Sequence, residues 1–96
     1  MNNIRLIATI VAKENYESDI LSACLAMIKP SHQDEGCIQY ELHKDTTQPR
    51  TFIFFEIWEN QSAIDKHNET AHMKTFIENL KDKTDSLEIK FIEKLV

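Results

Sequence analysis

Two histidines that lie close together in the sequence are the side chains best suited to proton transfer. His67 and His72 follow shortly after Trp58, near the end of a run with helical features. Imidazole has an ordinary pKa near neutrality, so it can accept or donate a proton at physiological pH. We therefore predict that His67 and His72 are catalytic, provided that they share a pocket. His43, in an earlier segment, is the next candidate and is predicted to bind substrate.

Aromatic side chains that accompany these histidines could bind a flat ring. The indole of Trp58 offers a large apolar surface together with one N–H donor. The complete set of predicted substrate-binding residues is His43, Trp58, Tyr40, Phe54 and Phe76. Such a lining, mostly aromatic with a few polar groups, is typical of sites for small organic molecules.

Each of these residues also has a structural interpretation that the sequence leaves open. His67 could flank a helix end at the surface, and His72 could make a structural hydrogen bond at a break in the chain. His43 falls on the polar face of a predicted strand, where a side chain is commonly solvated. Trp58 and Phe54 could simply belong to the hydrophobic core.

Other kinds of active site find little support. On one continuous helix His67 and His72 would lie about 140° apart, whereas zinc-binding pairs favour positions i and i+4. The sequence contains neither G-x-S-x-G nor a Gly-rich phosphate-binding motif. Cys24 and Cys37 have no metal-type spacing, and we interpret them as small core residues. We therefore expect no metal and no other cofactor.

The composition indicates one small domain, 1–96. Its 96 residues carry a net charge of −5 and include only 11 Lys and Arg. Nucleic acid and anionic membranes require clustered positive charge, so we expect neither as a partner. No segment has the ~20 apolar residues of a membrane span, and the first residues lack the features of a signal peptide. These observations predict a cytoplasmic protein.

Apolar periodicity divides the chain into strands and helices. Alternating or continuous apolar residues predict four strands, at Ile4–Ala12, Cys37–Lys44, Thr51–Glu59 and Leu87–Val96. Helical spacing predicts a helix over Glu17–Lys29 that Pro30 ends. A second helix is predicted to begin at a cap, Asn60 or Ser62, and to carry both histidines to its end. An amphipathic helix then follows over Met73–Leu80.

The predicted order of elements is that of a ferredoxin-like α+β fold, a βαββαβ sandwich. Helices cover one face of the four-stranded sheet, yet the first and third strands are apolar on both faces. Soluble monomers rarely expose so large an apolar patch, so we predict a homodimer in which two sheets pack face to face. His43 or the ring nitrogen of Trp58 is predicted to line a small cavity on that inner side.

Three stretches resemble the antibiotic biosynthesis monooxygenase (ABM) family. They are Glu35-Gly36-Cys37 with Tyr40-Glu41-Leu42-His43, then Phe54-Phe55-Glu56-Ile57-Trp58, and Ala63 with His67 to Phe76. The run H-x2-T-x-H-x3-F after E-x-W is the most specific part. The resemblance covers essentially the whole chain and implies a dimeric α/β barrel of ferredoxin-like subunits.

The family includes several activities. Its best-known members resemble quinol or anthrone oxygenases that act without metal, flavin or haem. Other members degrade haem, and one relative isomerises a phosphorylated quorum-sensing sugar. The position that corresponds to the iron-binding histidine of the haem-degrading members falls near Phe76 here, and His67 takes the tryptophan-like position. These differences argue against haem degradation.

The resemblance and the residues together predict a cofactor-independent monooxygenase that acts on a quinol-like or other electron-rich aromatic molecule. A phenolate reduces dioxygen far better than a phenol, so the minimum requirement is a base next to an apolar pocket. His67 or His72 would remove the proton from a ring hydroxyl. Two alternatives stay open: an isomerase of a small phosphorylated hydroxyketone, and a dimer that binds a small ligand without turnover.

Overall fold

The structure is a computed structural model that describes residues 3–96. The four strands are Ile4–Ala12 (β1), Cys37–Lys44 (β2), Thr51–Trp58 (β3) and Thr84–Ile92 (β4). The helices are Glu17–Leu25 (α1), Ile28–His32 (α2), Gln61–Asn68 (α3) and Ala71–Leu80 (α4). The order of strands and helical segments is the predicted one, although the first helical segment is divided into two helices and the break in the second lies before His72 and not after it.

The strands form one antiparallel sheet in the order β2-β3-β1-β4. The two central strands, β1 and β3, are those that the sequence shows as apolar on both faces. Their register pairs Ala8 with Phe54 and Ile7 with Phe55. This topology confirms the predicted ferredoxin-like α+β fold.

One face of the sheet packs against the helices and forms the core. Alternate residues of β1 and β3 are buried there, among them Ile10, Phe52, Phe54 and Trp58. Burial of each large apolar side chain contributes roughly 1.5–3 kcal/mol relative to its exposure. The predicted alternation in β1 is confirmed, because Leu6, Ala8 and Ile10 are buried while the residues between them are half-buried.

The apolar side chains of β4 are not covered by the helices. Leu87, Ile89 and Phe91 pair with residues of β1 that face the core, so they lie on the helix side of the sheet. They are nevertheless 47%, 54% and 60% exposed, because β4 is an edge strand beside β1 alone. The strand also begins earlier and ends earlier than predicted, since it spans Thr84–Ile92 and not Leu87–Val96.

Pro30 affects the first helical segment differently from the prediction. The predicted helix over Glu17–Lys29 is divided, because α1 ends at Leu25 and Pro30 lies inside α2. A proline has no N–H to donate to the carbonyl four residues earlier, and its ring collides with that carbonyl. That residue is Ala26, which is where the helix breaks. Within α2, Pro30 is in the first turn, where its missing N–H has no intrahelical acceptor.

No helix among residues 3–96 combines the length and the apolar character that crossing a membrane requires.

Gly36 holds the segment before β2 against the start of α3. Its φ is +79°, and a Cβ at this position would collide with the methyl group of Ala63. Its carbonyl accepts a hydrogen bond from the backbone N–H of Glu59 at 2.8 Å. Gly36 is the single glycine of the chain, and glycine adopts a positive φ without the steric penalty that a Cβ brings.

We expect Gly36→Ala to lower the free energy of unfolding by about 2 kcal/mol or more. The alanine would be strained at a positive φ, and its Cβ would also clash with Ala63. Urea denaturation measures the change. Asn15→Ala is the control, since Asn15 has φ 77° at an exposed position and tests backbone strain without the clash. Equal losses in the two variants would show that the contact with Ala63 is unimportant.

Candidate active site

One carboxylate oxygen connects the two predicted catalytic histidines. Asp34 Oδ2 lies 2.7 Å from His67 Nδ1 and 2.8 Å from His72 Nε2. Because a carboxylate can only accept, both imidazoles donate an N–H to the same oxygen. The structure therefore brings His67 and His72 together, which the predicted catalytic role requires.

A break between α3 and α4 makes this arrangement possible. Asn60 caps α3 by accepting a hydrogen bond from the Ala63 N–H at 2.9 Å, which confirms one of the two predicted caps. Thr70 caps α4: its hydroxyl accepts from the Met73 N–H at 3.2 Å and donates to the His67 carbonyl at 2.8 Å. His67 thus lies in the last turn of α3 and His72 in the first turn of α4.

The prediction that one continuous helix carries both histidines is wrong. The extended backbone of Thr70, at φ −70° and ψ 156°, ends one helix and starts the next. The separation of about 140° around a single helix axis therefore does not apply. The geometric argument against a shared metal ligand set depends on that separation and is lost with it.

His67 is held in one orientation deep inside the protein. Its side chain is 3% exposed, and its ring centroid lies 4.6 Å from that of Trp58 and 5.6 Å from that of Tyr40. Burial lowers the pKa of His67 below its ordinary value, although the hydrogen bond and charge of Asp34 act in the opposite direction. A neutral imidazole whose Nδ1–H donates to Asp34 carries a lone pair on Nε2. That Nε2 is buried and has no hydrogen-bond partner among the described residues.

Glu56 is a second buried titratable group, and our sequence analysis did not identify it. It is 6% exposed and accepts a hydrogen bond from the indole N–H of Trp58 at 2.9 Å. Burial raises its pKa to about 7, although the bond from Trp58 acts against that rise. The sequence does contain a signal for it. Glu56 is the one charged residue of β3, and it alternates with Phe54 and Trp58 so that all three side chains lie on the same face of the strand.

Asp34 is the other functional residue that our sequence analysis missed. It lies in a polar connection between α2 and β2, 33 residues from His67 and 38 from His72. Nothing in its local sequence indicates that it contacts either histidine. Only the fold places the connection beside the break between α3 and α4.

The structure places four of the five predicted substrate-binding residues in one aromatic cluster. Ring centroids lie 5.2 Å apart for Tyr40 and Phe54, 6.3 Å for Tyr40 and Trp58, and 5.8 Å for Phe54 and Phe76. The cluster lies on the helix face, next to His67. The predicted position of the Trp58 ring nitrogen, on the uncovered face, is therefore wrong.

His43 is not part of this cluster. It pairs with Ile53 on the opposite face of the sheet. Its imidazole is largely exposed and lies 2.9 Å from a carboxylate oxygen of Glu41. The uncovered face does carry His43 as predicted, but this position separates it from His67 and His72.

A cleft between α1 and α4 reaches the site from outside. It has a volume of about 340 Å³, within the range of small-molecule sites. Its lining is mostly apolar and consists of Ala23, Ala26, Met27, Ala71, His72, Thr75, Phe76 and Asn79. His72 is 23% exposed, so it links this cleft through Asp34 to the buried His67.

The fold and the site together define a ferredoxin-like α+β protein with a histidine–carboxylate–histidine group between its helices and its sheet. The family model of the antibiotic biosynthesis monooxygenases matches residues 3–79. The chain belongs to this family.

The relatives extend the likeness over most of the chain. An uncharacterized protein of Synechocystis is 33% identical over 76% of this chain, which spans about half of that protein's length (50%). The Bacillus subtilis protein named "Putative monooxygenase YcnE" is 34% identical over 77% of this chain and 78% of its own length. The crystal structure of PA3566 from Pseudomonas aeruginosa is 27% identical, covers 100% of this chain and 97% of its own, and superposes with a TM-score of 0.95.

Glu56→Gln should change how stability depends on pH. The pKa of Glu56 rises from 4.5 to about 7 on folding, so between these values the native state binds more protons than the unfolded chain. Wild-type stability therefore falls as pH rises through this window and levels off above it. Glutamine does not ionise, so the variant lacks this pH dependence. Its free energy of unfolding, relative to that of wild type, should therefore increase by up to about 3 kcal/mol as the pH rises from 4 to 8.

Urea denaturation at a fixed protein concentration measures this difference at each pH. Glu59→Gln is the matched control, because Glu59 is an exposed carboxylate one residue beyond β3. A stability difference between Glu56→Gln and wild type that stays constant with pH would contradict the assignment.

Proposed function

We propose that this protein is a cofactor-independent monooxygenase that acts on a quinol-like or other electron-rich aromatic small molecule. The observation that carries the proposal is the buried His67, whose Nδ1 is held by Asp34 at 2.7 Å and whose Nε2 has no partner among the described residues. Membership of the ABM family and the likeness to a protein named as a putative monooxygenase agree with it.

The arrangement around Asp34 suits a base that acts near neutral pH. The carboxylate fixes the tautomer of each imidazole, which leaves His67 Nε2 and His72 Nδ1 as the proton acceptors. It would also stabilise the imidazolium that forms when either histidine takes a proton. Glu56, with a pKa raised to about 7, is a further group suited to proton transfer in the same region.

The proposed reaction starts with loss of a proton from a ring hydroxyl to His67 or His72. The phenolate gives one electron to dioxygen, and the resulting radicals combine at a ring carbon. Loss of water then leaves a hydroxylated quinone, so a quinol and O2 become a hydroxyquinone and H2O. The quinol supplies all the electrons, which is why this reaction needs no resident metal, flavin or haem.

The aromatic cluster would provide the walls for a flat substrate. Tyr40 and Trp58 pack on the ring of His67, Phe54 packs on Tyr40, and Phe76 connects this cluster to the cleft between α1 and α4. A low-polarity environment of this kind strengthens the electrostatic stabilisation of a phenolate.

The lining of the cleft weighs against the isomerase alternative. A phosphorylated hydroxyketone needs a cation for its phosphate, and the cleft residues among positions 3–96 include no lysine or arginine. Binding without turnover is the remaining alternative, and the activity measurement below distinguishes it. We further infer a cytoplasmic protein that, with its net charge of −5, binds neither nucleic acid nor an anionic membrane.

We further propose that the functional unit is a homodimer. The face of the sheet away from the helices carries half-buried apolar residues at its centre, including Ile7, Ile53 and Phe55. A second copy of the same sheet would cover this patch.

Phe55→Glu should convert the dimer to a monomer, because it places a charge at the centre of the proposed interface. Sedimentation equilibrium at micromolar concentration measures the mass. Ile77→Glu, at an exposed apolar position of α4, is the matched control and should remain dimeric. A wild-type protein of monomer mass would overturn the dimer.

We expect oxygen uptake above the spontaneous rate when metal-stripped protein is given a panel of hydroquinones, with one oxygen atom gained by the product. The double variant His67→Ala/His72→Ala should lose about 10²-fold or more of kcat/KM, since general bases contribute rate factors of this size.

Lys66→Ala is the control for this loss, because Lys66 is exposed, precedes His67 directly and pairs with the exposed Glu35. Full activity of the double histidine variant would eliminate both assigned bases. No uptake across the panel by an intact protein that retains an unmodified small molecule would favour the binding alternative.

A further inference from the structure

The histidine–carboxylate–histidine group has the composition of a metal site as well as that of a base. His67 Nδ1, His72 Nε2 and an Asp34 carboxylate oxygen all lie within 4.8 Å of one another. We propose that Asp34, His67 and His72 form a binding site for a divalent cation of the Zn²⁺ class, and that the cation inhibits the base. The binding part of this inference does not depend on the proposed oxygenase activity.

The donor atoms indicate which cations would bind. Two imidazole nitrogens and one carboxylate oxygen are characteristic ligands of Zn²⁺ and its neighbours Co²⁺ and Ni²⁺. Mg²⁺ and Ca²⁺ prefer sites built from oxygen alone. Three protein ligands leave at least one position on the ion for water or another small molecule.

The ligand atoms must move to hold an ion, and the two imidazole nitrogens, which lie within 4.8 Å of each other, must reach the same spacing as the N···O pairs. A ligand lies about 2.1 Å from such an ion, so neighbouring ligand atoms are about 3.0–3.4 Å apart in octahedral or tetrahedral geometry. The two N···O separations are 2.7 and 2.8 Å, so each must widen by a few tenths of an ångström to roughly half an ångström. His72 and Asp34 are partly exposed, with side-chain exposures of 23% and 14%, and can move more easily than the buried His67.

Coordination would change the chemical character of His67. A neutral imidazole that binds metal through Nδ1 must carry its proton on Nε2. The Nε2 atom that accepts a proton in the metal-free protein would then be an N–H donor. A bound cation and the proposed base at His67 therefore exclude each other.

The surroundings of His67 also limit the affinity. Metal-binding histidines usually donate their second ring N–H to a carboxylate or carbonyl, and loss of that partner typically costs 10–100-fold in affinity. No such partner of His67 Nε2 is present among the described residues. We therefore expect reversible binding that chelators remove easily and not a permanently occupied structural site.

Direct titration of the metal-stripped protein tests the site. Calorimetry with ZnCl2 should show one Zn²⁺ per chain, and CoCl2 should give the visible absorption of Co²⁺ bound to nitrogen and oxygen ligands. Asp34→Asn and His72→Ala should each weaken Zn²⁺ binding at least 10-fold. MgCl2 should not compete.

Two variants make the titration specific. His72→Ala is the principal test, because His72 is less buried than His67 and its loss leaves the core intact, which thermal melting verifies. His43→Ala is the matched control, since His43 also lies 2.9 Å from a carboxylate but belongs to no cluster of three ligands among residues 3–96, and this variant should retain wild-type Zn²⁺ binding. Equal Zn²⁺ affinity in wild type, His72→Ala and Asp34→Asn, or no binding to wild type, would overturn the inference.

The inhibitory part has its own measurement. Added Zn²⁺ should suppress oxygen uptake in proportion to site occupancy, and EDTA should restore it. Zn²⁺ binding with unchanged uptake would refute inhibition alone. Failure of Zn²⁺ to bind, with uptake intact, would refute this inference and leave the proposed function standing.

Discussion

The hydrogen bonds of Asp34 to two imidazoles are the interaction on which the site depends. They join the connection before β2, the last turn of α3 and the first turn of α4 at one oxygen atom. Charge-assisted bonds of this kind are worth about 1.5–3 kcal/mol each when they are shielded from water. Two special backbone positions lie close to these side chains in the sequence: Gly36, with its positive φ, two residues after Asp34, and Thr70, with its extended backbone, between the two histidines.

The polar groups of the site are unusual in being inserted into the main core. Trp58 is fully buried between Glu56, whose carboxylate accepts its N–H, and the ring of His67. Burial raises the pKa of Glu56 and lowers that of His67, so both groups are driven toward their neutral forms. Low polarity thus brings the pKa of Glu56 to about 7 and favours the neutral imidazole of His67, which can accept a proton. Burial of Glu56 and His67 lowers the stability of the core, and a cost of this kind is typical of residues with a functional role.

Local patterns were sufficient for the sheet but not for the site. Period-two alternation determines which residues of β3 share a face, so the sequence predicts that Phe54, Glu56 and Trp58 lie on the same face. Because both faces of β3 are apolar, however, nothing in the strand indicates which face the helices cover, and Trp58 was assigned to the wrong one. Thr70 is a good helix cap, but it lies within a segment whose residues are otherwise compatible with a single helix. The contact of Asp34 with the histidines depends on tertiary structure alone, since more than thirty residues intervene.

The cleft between α1 and α4 is lined by small alanines as well as by the site residues His72 and Phe76. Three of its lining residues are alanines, with Ala23 on α1, Ala71 on α4 and Ala26 at the break after α1, whereas Asp34 lies in a connection and Glu56 in the sheet. A larger side chain at any of the three would narrow the entrance without contacting either of those two acidic groups. Single substitutions at these positions would therefore change the size of the molecule that the cleft admits, while Asp34, His67 and His72 stay in place.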